Sequence, residues 1–309
     1  MSAEILVTGG TGQLARSLEA KAGSHQIRRI GRPELDFDRP DDIPALLASL
    51  APRMIVNAAA YTAVDRAESE PDAAGRANHL GPRLLAEHAA RACIPLIHVS
   101  TDSVYDGTTG SPYDDTDPTN PTGIYGATKL AGETAALAAN PQTIVLRTAW
   151  VYAAIGKNFV LTMLNAGKRL PKLRVVADQI GNPTNADDLA EAILGIAARI
   201  DRSGWKPDYR GVFHAAGTGA TSWHGLATAT LRIAAKHGQP MPEIEAIATA
   251  DWPTPARRPA DSRLDCRKLA NVFGQTLPPW EQSLSRTIDE VFAQQGAAQP
   301  HPATVAQRN

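Results

Sequence analysis

The chain has 309 residues, of which 43% are hydrophobic, 20% charged and 5% aromatic, a globular composition that argues against disorder throughout. Its 31 basic and 32 acidic residues give a net charge of −1, which argues against a general nucleic-acid binder with a basic surface. The two cysteines have no metal-binding spacing, and no apolar run approaches about 18 residues, so a disulfide scaffold and a transmembrane protein are not expected.

The chain begins MSAEILVTGG, which has neither the basic head nor the cleavable apolar segment of a signal peptide. Two cysteines that cannot staple a fold of this size fit a reducing compartment. We therefore expect a cytoplasmic protein with no membrane or nucleic-acid partner. The charge balance leaves room for one anionic small molecule held by a few arginines.

The first 150 residues alternate short apolar runs with longer stretches rich in Ala and Leu. The predicted strands are Glu4–Thr8, Gln26–Ile30, Met54–Asn57, Pro95–Ser100 and Thr143–Arg147. The predicted helices are Gly12–Ala22, Asp41–Leu50, Ala73–Ala92 and Ile124–Ala139. The strands read as buried on both faces, and Gly81-Pro82 should kink or interrupt the third helix. This pattern predicts an α/β fold of the Rossmann type, a doubly wound parallel sheet, over residues 1–150.

Beyond Trp150 the chain becomes richer in Pro, Trp and Gly, and the predicted helices Asp187–Ile200 and Ser222–His237 are separated by long loops. We interpret residues 151–293 as a smaller C-terminal substrate-binding cap, some of whose segments return to the Rossmann core. Residues 294–309 are polar, rich in Ala and Pro and without periodicity, so we expect a disordered tail.

The first strand runs directly into GGTGQLA at a predicted helix start. Gly9, Gly12 and Ala15 have the spacing G-x-x-G-x-x-A, which permits a tight turn, close approach of a pyrophosphate, and close packing of helix on strand. The helix N-terminus offers free N–H groups to phosphate oxygens. A glycine cluster alone also fits a plain tight turn, but strand, glycines and helix together predict a dinucleotide site.

The second predicted strand ends at Arg28-Arg29-Ile30-Gly31-Arg32, with no carboxylate before Glu34 and Asp36. A site that prefers NAD usually has an acidic residue here to accept from the ribose 2′-hydroxyl. Arg32 is instead placed to face a 2′-phosphate, although a solvated strand end explains these arginines equally well. We predict NADPH as the cofactor, with NADH tolerated.

Tyr125 and Lys129 are four residues apart in IYGATKLAGE, on one face of a predicted helix. A lysine beside a phenol favours phenolate and lowers the tyrosine pKa, and it can also donate to ribose hydroxyls. A tyrosine so placed exchanges a proton as hydride reaches or leaves a carbonyl carbon. Thr101 follows the fourth predicted strand, where its hydroxyl can hold the reacting oxygen. These three residues are the predicted catalytic set.

The segments TGGTGQLA, NAAAYTAVDRAESEP, STDSVYDG, YGATKLAGE, RTAWVY, DQIGNPT and ARRPADSRLD occur in this order. With them the chain resembles the extended short-chain dehydrogenases/reductases and, within these, the dTDP-4-dehydrorhamnose reductase family, from about Glu4 to Phe292. The resemblance implies reduction of the 4-keto group of a dTDP-linked 6-deoxyhexulose with NAD(P)H, giving dTDP-L-rhamnose for polysaccharide synthesis. In that mechanism Tyr125 protonates the alkoxide, Lys129 restores the proton, and Thr101 stabilises the oxyanion.

The resemblance also assigns binding residues. By it, Thr101, Tyr125 and Lys129 match the catalytic triad. The positions that match cofactor contacts are Gly9, Gly12, Gln13, Leu14, Asp36, Phe37, Ala58, Ala59, Ala60 and Tyr61, in addition to Tyr125 and Lys129. The positions that match the sugar-nucleotide pocket are Thr62, Val64 and Trp150, alongside Thr101 and Tyr125. Trp150 also fits a plain core residue at a strand end.

One segment departs from the family. The usual motif is STDYVFDG, whose Tyr helps to form the sugar pocket, whereas this chain has STDSVYDG with Ser103 at that position. If the segment is extended, residues 103 and 105 point to the same side, and the Tyr105 hydroxyl reaches part of the vacated space. We expect intact chemistry with an altered grip on the substrate.

Other charged and polar residues outside the predicted catalytic set also need an interpretation. Arg257 and Arg258 fit a clamp on the substrate diphosphate or a solvated loop pair. His98 fits a satisfied core residue, and the acidic stretch of Asp65, Glu68 and Glu70 fits the solvated start of a helix.

Metal binding is not expected, because the eight histidines form no cluster with ligand spacing. Some relatives dimerise around Mg²⁺ through a glutamate on the helix after the glycine loop, and the matching residue here is Ser17. The default expectation is therefore a monomer.

Two rival functions remain at this stage. A nucleotide-sugar 4,6-dehydratase or 4-epimerase retains NAD, and a dehydratase typically has Asp-Glu directly after the active-site Thr, whereas here Asp102-Ser103 follows. A non-catalytic relative, the regulatory subunit of methionine adenosyltransferase, also resembles these reductases. Substrate-dependent oxidation of NADPH discriminates the reductase from both.

Overall fold

The computed structural model describes residues 4–297 of the chain. Its strands are β1 (Ile5–Thr8), β2 (Ile27–Ile30), β3 (Met54–Asn57), β4 (Leu96–Thr101), β5 (Thr143–Thr148), β6 (Val151–Tyr152), β7 (Lys172–Val176), β8 (Ile180–Gly181), β9 (Thr184–Asn185), β10 (Gly211–His214), β11 (Thr221–Ser222) and β12 (Glu243–Ile247). Six of them form one parallel sheet in the order β10-β5-β4-β3-β1-β2. The strand order reverses between β1 and β3, as in a doubly wound fold, so the predicted Rossmann-type class is confirmed.

The helices are α1 (Gln13–Ala20), α2 (Ile43–Leu50), α3 (Val64–Ala67), α4 (Pro71–Gly75), α5 (Gly81–Arg91), α6 (Ile124–Ala139), α7 (Phe159–Gly167), α8 (Ala186–Ser203), α9 (Trp223–Lys236), α10 (Arg267–Phe273) and α11 (Trp280–Ala297). The bounds of α6 agree with the prediction at both ends. The bounds of β3 agree as well, and the other predicted helices and strands are present with one or both ends shifted by one to three residues, the range in which such boundaries are ambiguous.

Alternating side chains of the central strands fill two apolar layers. Ile5, Val7 and Leu146 contact α1 and α8 on one face, whereas Leu6 and Leu96 contact α2 and α5 on the other. Burial on both faces explains the continuous apolar runs of these strands. The prediction is wrong for β2, an edge strand in which Arg28 is exposed and only Ile30 is fully buried.

The predicted interruption at Gly81-Pro82 is present as a turn of π-helix at Arg76–Leu80, between α4 and α5. Pro82 has no amide hydrogen for the carbonyl of Asn78. Gly132 of α6 lies against this carbonyl so closely that a Cβ there would be 2.0 Å from the oxygen. The irregular turn therefore lets α6 approach the segment before α5.

Residues after 150 contribute to both parts of the molecule. The strand β10 completes the central sheet beside β5, and α8 packs against α1. The helices α7, α9 and α11 form a separate apolar cluster with Trp150 at its margin. The expected tail is wrong for residues 294–297, which continue α11, and residues 298–309 lie outside the described part.

Among the helices of residues 4–297, none combines the length and apolar character needed to cross a membrane.

Candidate active site

A cavity of about 1040 Å³ opens at the carboxyl ends of the central strands, beside the β1/β3 switch. In open α/β sheets this is where ligands bind. The predicted site residues that line it are Gly9, Gly12, Gln13, Leu14, Arg32, Phe37, Ala58, Ala59, Ala60, Tyr61, Thr62, Val64, Thr101, Ser103, Tyr125, Lys129 and Trp150. The structure thus brings together every predicted site residue except Asp36.

The glycine loop has the shape that a dinucleotide requires. Gly9 has φ +87°, and a Cβ there would lie 2.9 Å from the carbonyl oxygen of Ala58, so no side chain fits at this turn. Gly12 caps α1 without a side chain, and the first turn of α1 carries no acidic residue. Its free N–H groups therefore face the cavity as donors for a pyrophosphate, and these residues fit the group.

The loop is also tied to the C-terminal part. The Asn158 side-chain amide donates to Gln13 Oε1 at 2.8 Å, and Asn158 itself caps α7. This bond fixes the side chain of Gln13 at the mouth of the glycine loop.

At the far end of the cavity, Arg32 donates to Asp36 Oδ1 at 2.8 Å and to Asp38 Oδ2 at 2.6 Å. Asp36 also accepts from the Asp38 amide, and these bonds lower its pKa against the opposing effect of burial. Asp36 thus faces Arg32 rather than the cavity, while Asp38 lines it and also binds Arg76. The sequence reasoning missed Asp38 and Arg76.

Replacing Arg32 with Ala is expected to weaken NADPH more than NADH. A charge-assisted bond to the 2′-phosphate contributes about 1.5–3 kcal/mol, or roughly 10- to 150-fold in Kd. Fluorescence titration with each cofactor gives the two Kd values, and hence the loss of affinity for NADPH relative to that for NADH. Arg28→Ala is the matched control, because Arg28 is exposed, pairs with Glu34 and lies outside the cavity lining. Equal losses for the two cofactors would show that Arg32 does not contact the phosphate.

The helix α6 presents Tyr125 and Lys129 to the cavity one turn apart. Lys129 is 1% exposed, and its ammonium donates to the carbonyl of Val99 at 2.6 Å. Burial lowers the pKa of Lys129 to about 8, and the carboxylate of Glu133, one turn further along α6, opposes this shift. Lys129 is therefore a buried cation close to its titration point.

The pKa of Tyr125 does not follow the expectation. Burial raises it to about 12, the hydroxyl of Thr101 lowers it, and Asp102 raises it. The ammonium of Lys129 donates to the backbone of β4, and burial is the dominant influence on the pKa of the phenol. Tyr125 is thus a protonated phenol at neutral pH, the form that a proton donor requires.

Thr101 is the last residue of β4 and is 5% exposed. Its hydroxyl donates to Asp102 Oδ1 at 3.1 Å and accepts from the Ser103 amide at 3.1 Å. Asp102 is buried, which raises its pKa, and its second oxygen accepts from Ser262 at 2.6 Å. Asp102 and Ser262 were not predicted as site residues, although Asp102 lies in the motif STDSVYDG and Ser262 in the motif ARRPADSRLD.

The segment after Thr101 is not extended, because Asp102–Val104 form a short 3₁₀ turn. Ser103 lines the cavity, as predicted, but Tyr105 is fully buried behind it. The Tyr105 hydroxyl accepts from Arg147 at 2.7 Å and contacts His214 Nε2 at 2.8 Å. The expectation that Tyr105 fills the space of the missing ring is therefore wrong.

Trp150 forms one wall of the cavity. It adopts φ +48°, and its indole stacks on Trp223 with ring centroids 3.6 Å apart. Both rings line the cavity, and Trp223 was not predicted from the sequence.

The acidic stretch is not a solvated helix start. Asp65 accepts from Arg258 at 3.0 Å and from the Ala256 amide at 3.3 Å, which ties it to the C-terminal loop. Glu68 accepts from the Ile124 amide at 2.8 Å, and Glu70 accepts from the Tyr61 hydroxyl at 2.5 Å. Each carboxylate thus holds a different part of the cavity wall, and that prediction is corrected.

Arg257 and Arg258 both line the cavity, so the pair is not a purely solvated feature. Arg258 forms an ion pair with Asp65, whereas Arg257 is exposed.

His98 is only half satisfied: Nδ1 bonds Asn57 at 2.9 Å, and Nε2 has no partner within residues 4–297. Burial lowers the pKa of His98 well below its usual value, so the ring is neutral.

Residues 4–297 contain no group of three or more His, Cys, Asp or Glu side chains arranged to hold a metal ion. Ser17, at the position of the metal-binding glutamate in some relatives, donates instead to Asp187 of α8 at 2.5 Å.

The chain is similar in sequence to known proteins over nearly its whole length. Residues 3–293 match the family model described as RmlD substrate binding domain. A dTDP-4-dehydrorhamnose reductase of Sinorhizobium fredii is 44% identical over 285 residues, which cover 92% of this chain and 96% of the relative. The protein of the same name from Escherichia coli K12 is 38% identical over 299 residues, which cover 93% of this chain and 98% of the relative.

Solved structures give the same result. A dTDP-4-dehydrorhamnose reductase from Clostridium acetobutylicum superposes with a TM-score of 0.87 at 33% identity, covering 94% of this chain and 99% of that one. The Bacillus anthracis protein, solved in complex with NADP, has a TM-score of 0.85 at 31% identity, covering 94% of this chain and 100% of that one.

Proposed function

The chain belongs to the RmlD substrate binding domain family, that of the dTDP-4-dehydrorhamnose reductases, and we propose that Thr101, Tyr125 and Lys129 catalyse its reaction. The protein is an oxidoreductase that uses NADPH to reduce the 4-keto group of dTDP-4-dehydrorhamnose, giving dTDP-L-rhamnose. The observation that carries the residue assignment is the convergence of these three side chains, two of them buried, on one cavity beside the glycine loop.

The cofactor would lie along the wall formed by the glycine loop, the ends of β2 and β3, and α6. Free N–H groups of α1 would hold the pyrophosphate, and Arg32 would face the 2′-phosphate. The segment Ala58–Tyr61 would line the middle of the cofactor. When bound, NADPH supplies the hydride that reduces C4 of the sugar.

The proposed roles follow from the protonation states. Tyr125, with a pKa of about 12, donates the proton from Oη to the C4 oxygen. Thr101 donates a hydrogen bond to the same oxygen as negative charge develops there, which requires its hydroxyl to turn away from Asp102. Lys129, with a pKa of about 8, is the proposed source of the proton that reloads Tyr125.

Asp36 remains a proposed contributor to cofactor binding, through its hold on Arg32. Thr62, Val64, Ser103 and Trp150 are proposed to surround the nucleotide sugar, since all four line the cavity. For the diphosphate we propose Arg257, because the guanidinium of its neighbour Arg258 is already bound to Asp65.

The decisive assay follows NADPH oxidation at 340 nm with the dTDP-linked 4-keto-6-deoxy sugar, and NMR of the product establishes the configuration at C4. Parallel reactions with the uridine- and guanosine-linked keto sugars test the base. Redox-neutral turnover with retained NAD would instead indicate an epimerase or dehydratase. The absence of any turnover, with NADPH still bound, would indicate a non-catalytic relative.

Ser103→Tyr is expected to leave kcat within a few-fold and to lower the KM for the dTDP-linked keto sugar about 2- to 10-fold. An added aromatic contact contributes about 0.5–1.5 kcal/mol beyond its buried area. Ser103 lines the cavity whereas Tyr105 is buried away from it, so the added ring would face the cavity. Ser103→Ala is the control and should not lower KM.

A folded but inactive Ser103→Tyr variant would mean that the pocket is built around serine for a related keto sugar. A 37% identical relative from Streptomyces antibioticus is described as a probable 4-ketoreductase of another dTDP sugar, so this outcome would redirect the substrate assay.

A monomer and a cytoplasmic location remain proposals. The intramolecular bond of Ser17 to Asp187 supports the first, since that position carries the metal-binding glutamate in relatives that dimerise around Mg²⁺. The free thiols of Cys93 and Cys266 fit the second.

A further inference from the structure

The helix that carries Tyr125 and Lys129 receives its cap from a distant segment. Gly123, at the N-cap of α6, has no side chain to bind the free amides of the first turn. Glu68, 55 residues before it in the chain, supplies the missing acceptor: its Oε1 accepts from the Ile124 amide at 2.8 Å. A Cβ at position 123 would lie 2.6 Å from this oxygen, so glycine leaves room for the carboxylate.

The capped turn contains the proposed proton donor. Tyr125 is the second residue of α6, within the turn that frays most easily in an uncapped helix. Next to it, Gly126 lies so close to Ser103 that a Cβ there would be 2.1 Å from the Ser103 carbonyl oxygen. A movement of this turn would therefore shift Tyr125 relative to Thr101 and the substrate pocket.

The segment of Glu68 is itself anchored on both sides. Asp65 is bound to Arg258 and the Ala256 amide, and Glu70 is bound to the Tyr61 hydroxyl and to Arg66. A carboxylate at a helix N-terminus is also favoured by the helix dipole. Through its bond to the Ile124 amide, Glu68 thus holds the first turn of α6 against a segment that is itself fixed in place.

We propose that Glu68 is a positioning residue, which rests on the proposed role of Tyr125: its carboxylate fixes the first turn of α6 so that the phenol stays aligned with the C4 oxygen. Glu68 acts through Tyr125 and is not itself a proton donor. Loss of the Glu68 carboxylate would therefore misplace the Tyr125 phenol and leave the other residues of the site unchanged.

The test compares Glu68→Ala, which removes the acceptor, with Glu68→Gln, which keeps an oxygen in place of Oε1. We expect kcat to fall about 10- to 100-fold in Glu68→Ala, since a displacement near 1 Å costs about 100-fold. In Glu68→Gln we expect kcat within about 3-fold of the parent. KM for the sugar and Kd for NADPH should change less than about 3-fold in both. Ser69→Ala, an exposed neighbour on the same segment, is the matched control.

Two readouts separate positioning from mere stability. The solvent isotope effect on kcat should rise in Glu68→Ala, because proton transfer becomes slower than the other steps. In the double variant Glu68→Ala/Tyr125→Phe, kcat should equal that of Tyr125→Phe alone, because both changes remove one function. Gly123→Ala, whose Cβ displaces the carboxylate, should reproduce the loss with Glu68 intact.

The proposal is overturned by an unchanged kcat in folded Glu68→Ala, by a rise in KM without loss of kcat, or by a loss in Glu68→Gln as large as in Glu68→Ala. Should Glu68→Ala not fold, Glu68→Gln and Gly123→Ala still decide the question. Substantial activity in the single variant Tyr125→Phe would instead refute the proposed catalytic role of Tyr125. That result is independent of the Glu68 variants, so the two failures can be distinguished.

Discussion

Replacing Tyr125 with Phe is expected to lower kcat about 100- to 10,000-fold, the usual contribution of a general acid, with a nearly unchanged Kd for NADPH. The substitution removes only the hydroxyl, so the aromatic ring still packs in the cavity. Steady-state oxidation of NADPH gives kcat, and fluorescence titration of the cofactor gives Kd.

The structure makes this prediction specific to the reductive direction. With a pKa raised to about 12 by burial, Tyr125 holds its proton throughout the working pH range and is ready to donate. Tyr209→Phe is the matched control, because Tyr209 is buried and hydrogen-bonded to Ser203 but lies outside the cavity lining. Retention of more than about a third of the parent kcat by Tyr125→Phe would refute its assignment as the general acid.

The parts of the fold that the sequence predicted well are those that depend on local patterns. The bounds of α6 are correct because its helical stretch is bracketed by Gly123 and by Asn140-Pro141, which interrupt a helix on either side. The burial of β2 was overestimated although its sequence Ile-Arg-Arg-Ile, with two arginines, already differs from the apolar runs of the central strands. The membership of β10 in the sheet depends on pairing with β5, which no local pattern encodes.

The site shows the same division. Thr101, Tyr125 and the glycine loop were located because strand ends and helix starts of a parallel sheet meet at one edge. The partners of Asp65 and Glu68 lie up to 193 residues away along the chain, so their capping and pairing roles carry no local signal. Tyr105 turned inward because a 3₁₀ turn replaced the assumed extended segment.

Protonation states were the least accessible to sequence reasoning. The spacing of Tyr125 and Lys129 suggested that the lysine tunes the phenol. In the structure, burial controls both groups: it raises the pKa of Tyr125 and lowers that of Lys129. Burial depends on residues from the whole cavity wall. The spacing of Tyr125 and Lys129 in the sequence carries no information about it.

Lys129→Met is expected to reduce kcat at least about 100-fold, the loss that follows removal of one preorganised electrostatic group. It should also weaken NADPH about 10-fold or more, because the ammonium would donate to the ribose hydroxyls. Lys236→Met, an exposed lysine near the end of α9, is the control and should change neither. An unchanged Kd for NADPH in Lys129→Met would rule out the ribose contact.

The pH dependence supplies an independent check on the same residue. Because kcat/KM reports the free enzyme, it should fall as pH rises through about 8, where Lys129 loses its proton, and not through 10, where an ordinary tyrosine would titrate. The free energy of unfolding should change with pH in the opposite direction to kcat/KM. Between pH 8 and 10.5 the unfolded chain binds the lysine proton and the folded chain does not, so this group makes the free energy of unfolding rise with pH. In Lys129→Met the fall of kcat/KM near pH 8 should disappear, and the rise of the free energy of unfolding between pH 8 and 10.5 should lose the contribution of this lysine. A parent enzyme whose kcat/KM stays flat from pH 7 to 9.5 would show that the charge on Lys129 is not required, whatever the variant loses.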